Sequence, residues 1–271
     1  MANKKLSAWD RVLLERFGGR PTALDYIENI FDEFIELHGD RNFADDKAIV
    51  CGLANIGNIN FTVVAEQKGR TTKENIERNF GMPNPESYRK ALRFMKQAEK
   101  FGRPIITFID TKGAYPGVEA EQRGQGESIA RNLMEMSNLR TPIIVVVIGE
   151  GSSGGALAIG VGDKILMLEN AIYSILSPEG YATILWKDGS RAKEAAEVMK
   201  LTAEDLYELE IIDKVIKEPE GGAQEDIKQI SESIKKEILK EVKRLKKLPI
   251  DKLLEERYNK FRLMGKYEME D

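Results

Sequence analysis

The chain has 271 residues, enough for one large α/β domain or two small ones with a substantial core. Charged residues make up 32% and hydrophobic residues 42%, a composition that excludes a disordered chain. A net charge of −4 argues against nucleic acid as the main ligand, and no run of roughly 18 apolar residues predicts a membrane span. The N-terminus has no signal-peptide core, so the expected location is cytoplasmic. One cysteine, Cys51, and one histidine, His38, allow no intrachain disulfide and no Cys/His zinc site built from this chain alone. Cys51 lies in the apolar run AIVCGLANI and reads as a packing residue.

Leu6 to Phe17 carries Trp9, Val12, Leu13 and Phe17 at helical spacing. Gly18-Gly19 ends that helix. Thr22 caps a second one, expected to run through Leu37 with Leu24, Ile27, Phe31, Phe34 and Ile35 on one face. Asp40, Arg41, Asp45 and Asp46 then form a polar loop, either internally paired or a binding rim. Ala48–Ile56 and Ile59–Ala65, separated by Gly57-Asn58, read as a β-hairpin. Arg70, Lys73, Arg78, Arg89 and Arg93 follow; they could meet cofactor phosphates or form a solvated face.

Glu86 to Phe101 is the next expected helix, and Pro104 to Ile109 a buried strand. The turn Asp110–Gly117 leads to one long helix from Glu119 to Leu139, with an uncertain start near Gly124 and Gly126. Further strands are expected at Lys164–Leu168, Ala171–Leu176 and Ile211–Ile216. Between them lie a helix opened by Ser177-Pro178, a short one over Ala192–Met199, and one capped by Thr202 with Asp205. Pro219–Gly222 reads as a linker. Amphipathic helices then run from Glu225 and from Asp251 to Met264, broken at Leu248-Pro249. The division expected is a main domain over 1–248 and a helical tail over 249–271.

The stretch that carries chemistry is Thr141–Gly162. Ile143–Ile148 is a strand buried on both sides, followed by Gly149-Glu150-Gly151-Ser152-Ser153-Gly154-Gly155 and a helix for which Ser153 is the expected N-cap. Three motifs compete for this turn. Gly149–Gly154 fits the dinucleotide fingerprint, with Glu169 at ribose-contact spacing, but it sits mid-chain. Gly151–Gly155 fits the nucleophile elbow around Ser153, yet no histidine follows, leaving only Lys164 or Lys187 as base. The third reading uses the backbone N–H groups of Gly154 and Gly155 as an oxyanion hole and needs no histidine. Against all three stands a bland reading, in which the glycines only allow tight strand–helix packing. A second glycine turn around Gly113 repeats the helix–strand–turn unit. That points to stacked ββα-like layers in one continuous domain.

The segments GDRNFADDKAIVCG, QKGRTTKENIERNFGMPNPESYRKALR, DTKGAYPGVEAEQRGQGESIARNL and VIGEGSSGGALAIGVGDKILMLENAIYSILSPEGYATILW resemble the α subunit of bacterial acetyl-CoA carboxylase carboxyltransferase, over about residues 8–223. The resemblance implies an α/β, crotonase-like (ClpP/crotonase) spiral of stacked ββα units. It implies transfer of a carboxyl group from carboxybiotin, borne by a carrier protein, to acetyl-CoA, giving malonyl-CoA for fatty-acid synthesis. Implied partners are a β carboxyltransferase subunit in an α2β2 assembly, the biotin carboxyl carrier protein and biotin carboxylase. ATP is used by biotin carboxylase rather than here, and the system's zinc ribbon belongs to the β subunit. On the matching motifs, Gly154 and Gly155 correspond to the hole for the biotin ureido oxyanion. Gly113, Ala114 and Tyr115, with Gly151 and Ser153, are the expected biotin-pocket residues. Lys112 replaces a proline of the family's D-T-P-G-A-Y-P-G pattern, and Ser152 replaces a glycine. The family's longer N-terminal extension is not matched. A stand-alone acyl-CoA hydratase or isomerase is the alternative, with Glu119, Glu121 and Glu150 as its acid–base candidates.

Overall fold

The computed structural model of the protein describes residues 6–265. It opens with α1 (Ala8–Glu15) and α2 (Ala23–Ile30), then β1 (Glu33–Leu37), β2 (Ile49–Ile56) and β3 (Ile59–Glu66). Next come α3 (Thr72–Glu77), α4 (Pro85–Lys100), β4 (Ile105–Thr111), α5 (Val118–Gln122) and α6 (Gln125–Asn138). The central part is β5 (Ile143–Ser152), α7 (Ser153–Leu157), β6 (Lys164–Leu168) and β7 (Ile172–Ser174). α8 (Pro178–Trp186), α9 (Ala192–Val198), α10 (Ala203–Glu208) and β8 (Lys214–Ile216) follow, then α11 (Ile227–Leu245) and α12 (Ile250–Leu263).

The strands form one sheet in the order β1-β2-β3-β4-β5-β6-β8, with β7 added at the far end of β5. The β2–β3 hairpin is antiparallel, as its Gly57-Asn58 turn foretells. From β3 to β8 the pairing is parallel. β4 and β5 are buried along their whole length, which is why Ile105–Ile109 and Ile143–Ile148 are almost wholly apolar, while both strands end in polar residues, Asp110-Thr111 and Glu150 with Ser152.

β5 is the hinge of the layers. Its Ile144–Val147 half pairs with β6, and its Glu150–Ser152 end leaves that ladder and pairs with β7. Its register with β4 slips between Ile109 and Thr111, so that Thr111 faces Gly151. An irregularity of this kind bends a strand and sharpens its twist. The bend carries the end of β5 out of the main sheet and into a small second layer. Gly149 and Gly151 sit at that bend because nothing larger fits. A Cβ at Gly149 would lie 2.2 Å from Asp110 Oδ1, and one at Gly151 2.7 Å from the Tyr173 ring.

Three expectations are corrected. The helix opened by Thr22 ends at Ile30. Phe31 is already extended, and residues 33–37 become an edge strand paired with β2. Ile35 is 61% exposed there, so its apparent helical face had no core to meet. The long helix 119–139 is two, α5 and α6, because Gly124 takes a left-handed φ of 86° between them. The glycine stretch 149–152 belongs to β5 rather than to a turn. Two expected strands are shortened: 171–176 to β7 and 211–216 to β8. The expected caps are present: Ser177 caps α8 by accepting from the Gly180 N–H, and Thr202 caps α10 by accepting from that of Asp205.

α11 lays Ile230, Ile234, Ile238, Val242 and Leu245 on the core, and α12 adds Leu253. Arg257 of α12 is buried and reaches Asp163 in the α7–β6 connection.

Candidate active site

A cleft of about 780 Å³ opens where the end of β5 leaves the main sheet. The loop after β4 forms one wall with Gly113, Ala114 and Tyr115, and the β5–α7 junction forms the floor with Ser152, Ser153 and Gly154. Ile129 of α6, with Ile175 and Leu176 between β7 and α8, supplies the apolar surface. Arg16 crosses the mouth, its guanidinium 2.6 Å from Glu179 of α8.

The loop wall is held from behind. The Thr111 hydroxyl donates to the Gly81 carbonyl at 2.6 Å and accepts from the Gly113 N–H at 3.1 Å. The Tyr115 N–H donates to the Pro83 carbonyl at 3.0 Å. The Gln125 amide donates to the carbonyls of Pro83 and Tyr115, both at 2.9 Å. A fixed wall of this kind keeps backbone groups aimed without later reorganisation.

Five of the seven expected site residues line the cleft together: Gly113, Ala114, Tyr115, Ser153 and Gly154. Gly151 and Gly155 lie behind it. Gly155 is buried against the loop wall, where a Cβ would fall 2.5 Å from the Ala114 nitrogen and 2.6 Å from the Gly113 carbonyl carbon. Gly155 is therefore what lets the two glycine turns touch. Ser153 is not the N-cap. Ser152, with φ −124°, holds that position, and neither serine makes a side-chain cap. Ser153 is instead the one residue of the turn with a left-handed backbone, φ 56°, while Gly149, Gly151, Gly154 and Gly155 are not left-handed. Gly149, Gly151 and Gly155 serve close approach, and the strained position falls on a serine.

The competing motif readings fail on placement. Lys164 is paired with Asp213 at 2.8 Å, and Lys187 donates to the Ile184 carbonyl, so neither serves Ser153 as a base. His38 is exposed and bonded to Asp45 at 3.1 Å. Glu169 pairs with Lys217 at 2.8 Å, and α7 is only five residues long, unlike the helix of a dinucleotide site. Of the acid–base candidates, Glu121 and Glu150 reach the cleft and Glu119 does not line it.

The basic stretch is largely consumed by internal partners. Arg89 meets Asp40 at 2.8 Å, Arg93 donates to the Gly39 carbonyl at 2.8 Å, and Arg78 donates to the Lys47 carbonyl at 2.7 Å. Arg70 pairs with Asp25. The loop containing Asp40 and Asp46 is internally bonded: Asp40 accepts the N–H groups of Asn42, Phe43 and Ala44. Lys112 is exposed beside the cleft and makes no hydrogen bond or ion pair among the described residues.

Sequence reasoning missed a buried cluster of charge behind the floor. Lys68, just after β3, lies 2.7 Å from Glu15 of α1 and 2.6 Å from Asp110 of β4. Asp110 also accepts the Glu150 N–H at 3.0 Å, and its own N–H donates to Glu66 at 3.0 Å. Burial pushes the carboxyl groups of Glu66 and Asp110 upward from the usual range. Burial, reinforced by the negative charge of Glu15, lifts Glu150 to about 7. EQK and DTK were visible as polar strand ends. Their meeting with Glu15 depends on contacts across 53 positions or more, for which local pattern holds no signal. Arg20 completes the support: it is buried, donates to the Ile148 carbonyl of β5 at 2.9 Å, and pairs with Glu218 at 2.7 Å.

Residues 2–265 match the protein family described as acetyl co-enzyme A carboxylase carboxyltransferase-like. The acetyl-coenzyme A carboxylase carboxyl transferase subunit alpha of Clostridium acetobutylicum is 61% identical over 98% of this chain and 97% of its own length. In Clostridium tetani a chain carrying subunits beta/alpha is 59% identical; the match covers 97% of this chain and 46% of that one. Among solved structures, transcarboxylase 12S aligns with a TM-score of 0.65 at 20% identity over 82% of this chain. The β subunit of Pseudomonas aeruginosa geranyl-CoA carboxylase aligns with a TM-score of 0.61 at 16% identity over 84%. This chain spans 44% and 46% of those two chains, and at such identities they establish the fold alone, a crotonase-like α/β architecture.

Proposed function

The chain belongs to the acetyl co-enzyme A carboxylase carboxyltransferase-like family, and on that premise we propose that its cleft is the carboxybiotin half of a carboxyl-transfer site. The protein is a transferase of the α-subunit type, with acetyl-CoA as the acceptor substrate and a β subunit as its partner. Carboxybiotin on a carrier protein is the donor, and malonyl-CoA the product. Biotin carboxylase recharges the carrier with ATP elsewhere. The setting is the cytoplasm; no helix among the described residues is long and apolar enough to cross a membrane.

One observation carries this reading: the Gly113–Tyr115 loop and the Ser153–Gly154 junction, far apart in sequence, form two walls of one cleft. The N–H groups at the start of a helix have no intrahelical acceptor, and α7 starts on that floor. In this reading the backbone of Gly154 on the floor, with that of Gly155 directly behind it, holds the negative charge left on the ureido oxygen when the carboxyl group departs. One such donor contributes about 3 kcal/mol. The residues fit that donor group. The cleft volume suits a small ring, its walls are apolar at Ile129, Ile175 and Leu176, and its glycines leave backbone exposed where a Cβ would stand. Carrier-borne biotin would supply the carboxyl group. The chain's own residues bind it, exclude water and stabilise the negative charge that develops.

The test is reconstitution. The purified chain, mixed with its β subunit, acetyl-CoA and free carboxybiotin, forms malonyl-CoA, and the chain alone forms none. Transfer by the chain alone would remove the two-subunit reading. Hydration of an enoyl-CoA by the chain alone would favour the hydratase, with Glu121 and Glu150 as its acid and base.

A further inference from the structure

We propose that Glu150 works in its protonated form, as a positioning residue that keeps the cleft floor free of negative charge while an oxyanion forms there. The inference rests on the carboxyl-transfer reading above. It starts from a count of charge. Glu15, Glu66, Asp110 and Glu150 are all less than a tenth exposed and share one cation, Lys68. The neighbouring arginines are already matched: Arg16 with Glu179 of α8, and Arg20 with Glu218. Among the described residues Lys68 forms ion pairs with Glu15 and Asp110 only. One oxygen each of Glu15, Glu66 and Glu150 has no hydrogen-bond partner among the described residues.

Burying an ionised carboxylate without a partner is far less favourable than burying the neutral acid, so the cluster retains protons. Glu66 is wholly enclosed by the sheet, and Asp110 and Glu15 are committed to the lysine. Glu150 alone among the four belongs to the cleft wall. The charged and titratable groups around it are Glu15 at the end of α1 and Arg16 just after it, Lys68 after β3, Asp110 from β4, and more distantly Glu66 and Glu179; Lys112 after β4 and Glu121 of α5 line the same cleft.

Glu150 lies four positions before Gly154 on the same strand–helix junction. A charge on Glu150 would oppose the charge held at Gly154. A proton there removes the repulsion at no cost to the packing. Glu150 does not touch the reacting atoms in this scheme; it sets the field in which the Gly154 turn operates. Its proton is neither gained nor lost in the transfer, so the reaction balances without it.

The experiment is the pH profile of carboxyl transfer by the complex of this chain with its β subunit. Wild-type activity should fall about tenfold as Glu150 ionises, the factor given by ~1.4 kcal/mol of repulsion. The fall should centre near pH 7. Glu150→Gln should flatten it. Glu15→Gln, which removes a negative neighbour, should move it to lower pH. A purely structural Glu150 would leave the position of the fall unchanged. Infrared titration of the free chain gives a second readout: the protonated-carboxyl absorption of the wild type has a component lost near neutral pH that Glu150→Gln lacks and Glu15→Gln moves to lower pH, apart from any absorption of the enclosed Glu66. If Glu150→Gln does not fold, the Glu15→Gln shift and the wild-type band decide. A transferring complex whose fall is the same in Glu150→Gln or in Glu15→Gln overturns the role of Glu150 and leaves the function standing. A wild-type complex that makes no malonyl-CoA at any pH overturns the function and this role with it.

Discussion

Arg257 and Asp163, 94 positions apart, meet in a buried two-pronged pair: Nε to Oδ1 and Nη2 to Oδ2, each 2.8 Å. The same guanidinium donates to the carbonyls of Met136, Leu139 and Thr141, and Asp163 accepts the Ile143 N–H at 2.7 Å. One side chain from α12 therefore ties the end of α6 to the first residue of β5, the strand whose far end builds the cleft. A planar fork with five donors suits this node in a way that an ammonium does not.

Arg257→Ala leaves a buried carboxylate and three carbonyls without their donor. The expected loss is about 3–5 kcal/mol, read as a lower urea midpoint at unchanged slope. Arg257→Lys should recover only part of it. A change under about 1 kcal/mol for the alanine variant would show that α12 is not needed to hold β5.

Gly154 and Gly155 should respond differently to one added methyl. At Gly155 the Cβ meets backbone of the neighbouring loop at 2.5 Å, which cannot yield without moving Gly113 and Ala114. At Gly154 the nearest atoms are 3.6 Å away on Ile129, an ordinary contact. Gly155→Ala should therefore lower stability by about 1–3 kcal/mol and abolish malonyl-CoA formation, while Gly154→Ala should fold normally. The reverse ranking in thermal unfolding would contradict the loop-against-loop packing.

Ser153 holds a left-handed backbone that a glycine adopts freely. Ser153→Gly should stabilise the chain by about 1 kcal/mol, and Ser153→Val should destabilise it by more. Melting temperatures of the two variants check this. A lower melting temperature for the glycine variant would mean that the serine side chain stabilises the junction by more than its strain.

Glu150 also makes a prediction for stability against pH. Its folded value near 7 lies above its ordinary 4.5, so between those values the folded chain binds the extra proton. Its contribution is complete below about pH 4.5 and is lost as pH rises to 7, on the order of 3 kcal/mol. Asp213 acts in the opposite sense. Burial opposes its charge, yet Lys260 and Lys164 hold its carboxyl below the usual range, so its stabilisation is lost only as pH falls below about 4. Urea midpoints at pH 5 and pH 7 should therefore differ more in the wild type than in Glu150→Gln.

Much of this was legible in the residues. The apolar run 143–148 could only be a strand covered on both faces, because it offers water no polar side. Thr202 with Asp205, Ser177 before Pro178, and Gly57-Asn58 between two β-rich runs each carry their own local instruction, and each is obeyed. The ordered blocks around Gly113 and Gly154 identified the family, and both turns do line one cleft.

What remained was decided by contacts between distant parts. Phe34 and Ile35 follow a helical pattern, yet β2 offers an open edge, and residues 33–37 take it as a strand. The glycines around the floor read in sequence as one turn. The sheet instead uses them for clearance against Asp110, Tyr173 and Ala114, and places the left-handed residue at Ser153. Glu15, Glu66 and Asp110 stand out for no chemistry in sequence, and Glu150 only as an acid–base candidate of the hydratase alternative. Folding brings them around one lysine, where a shortage of positive charge and water fixes their protons. Local propensity and side-chain period act over a few residues and determine elements, while clearance, desolvation and charge balance arise only once distant segments share the same dry space.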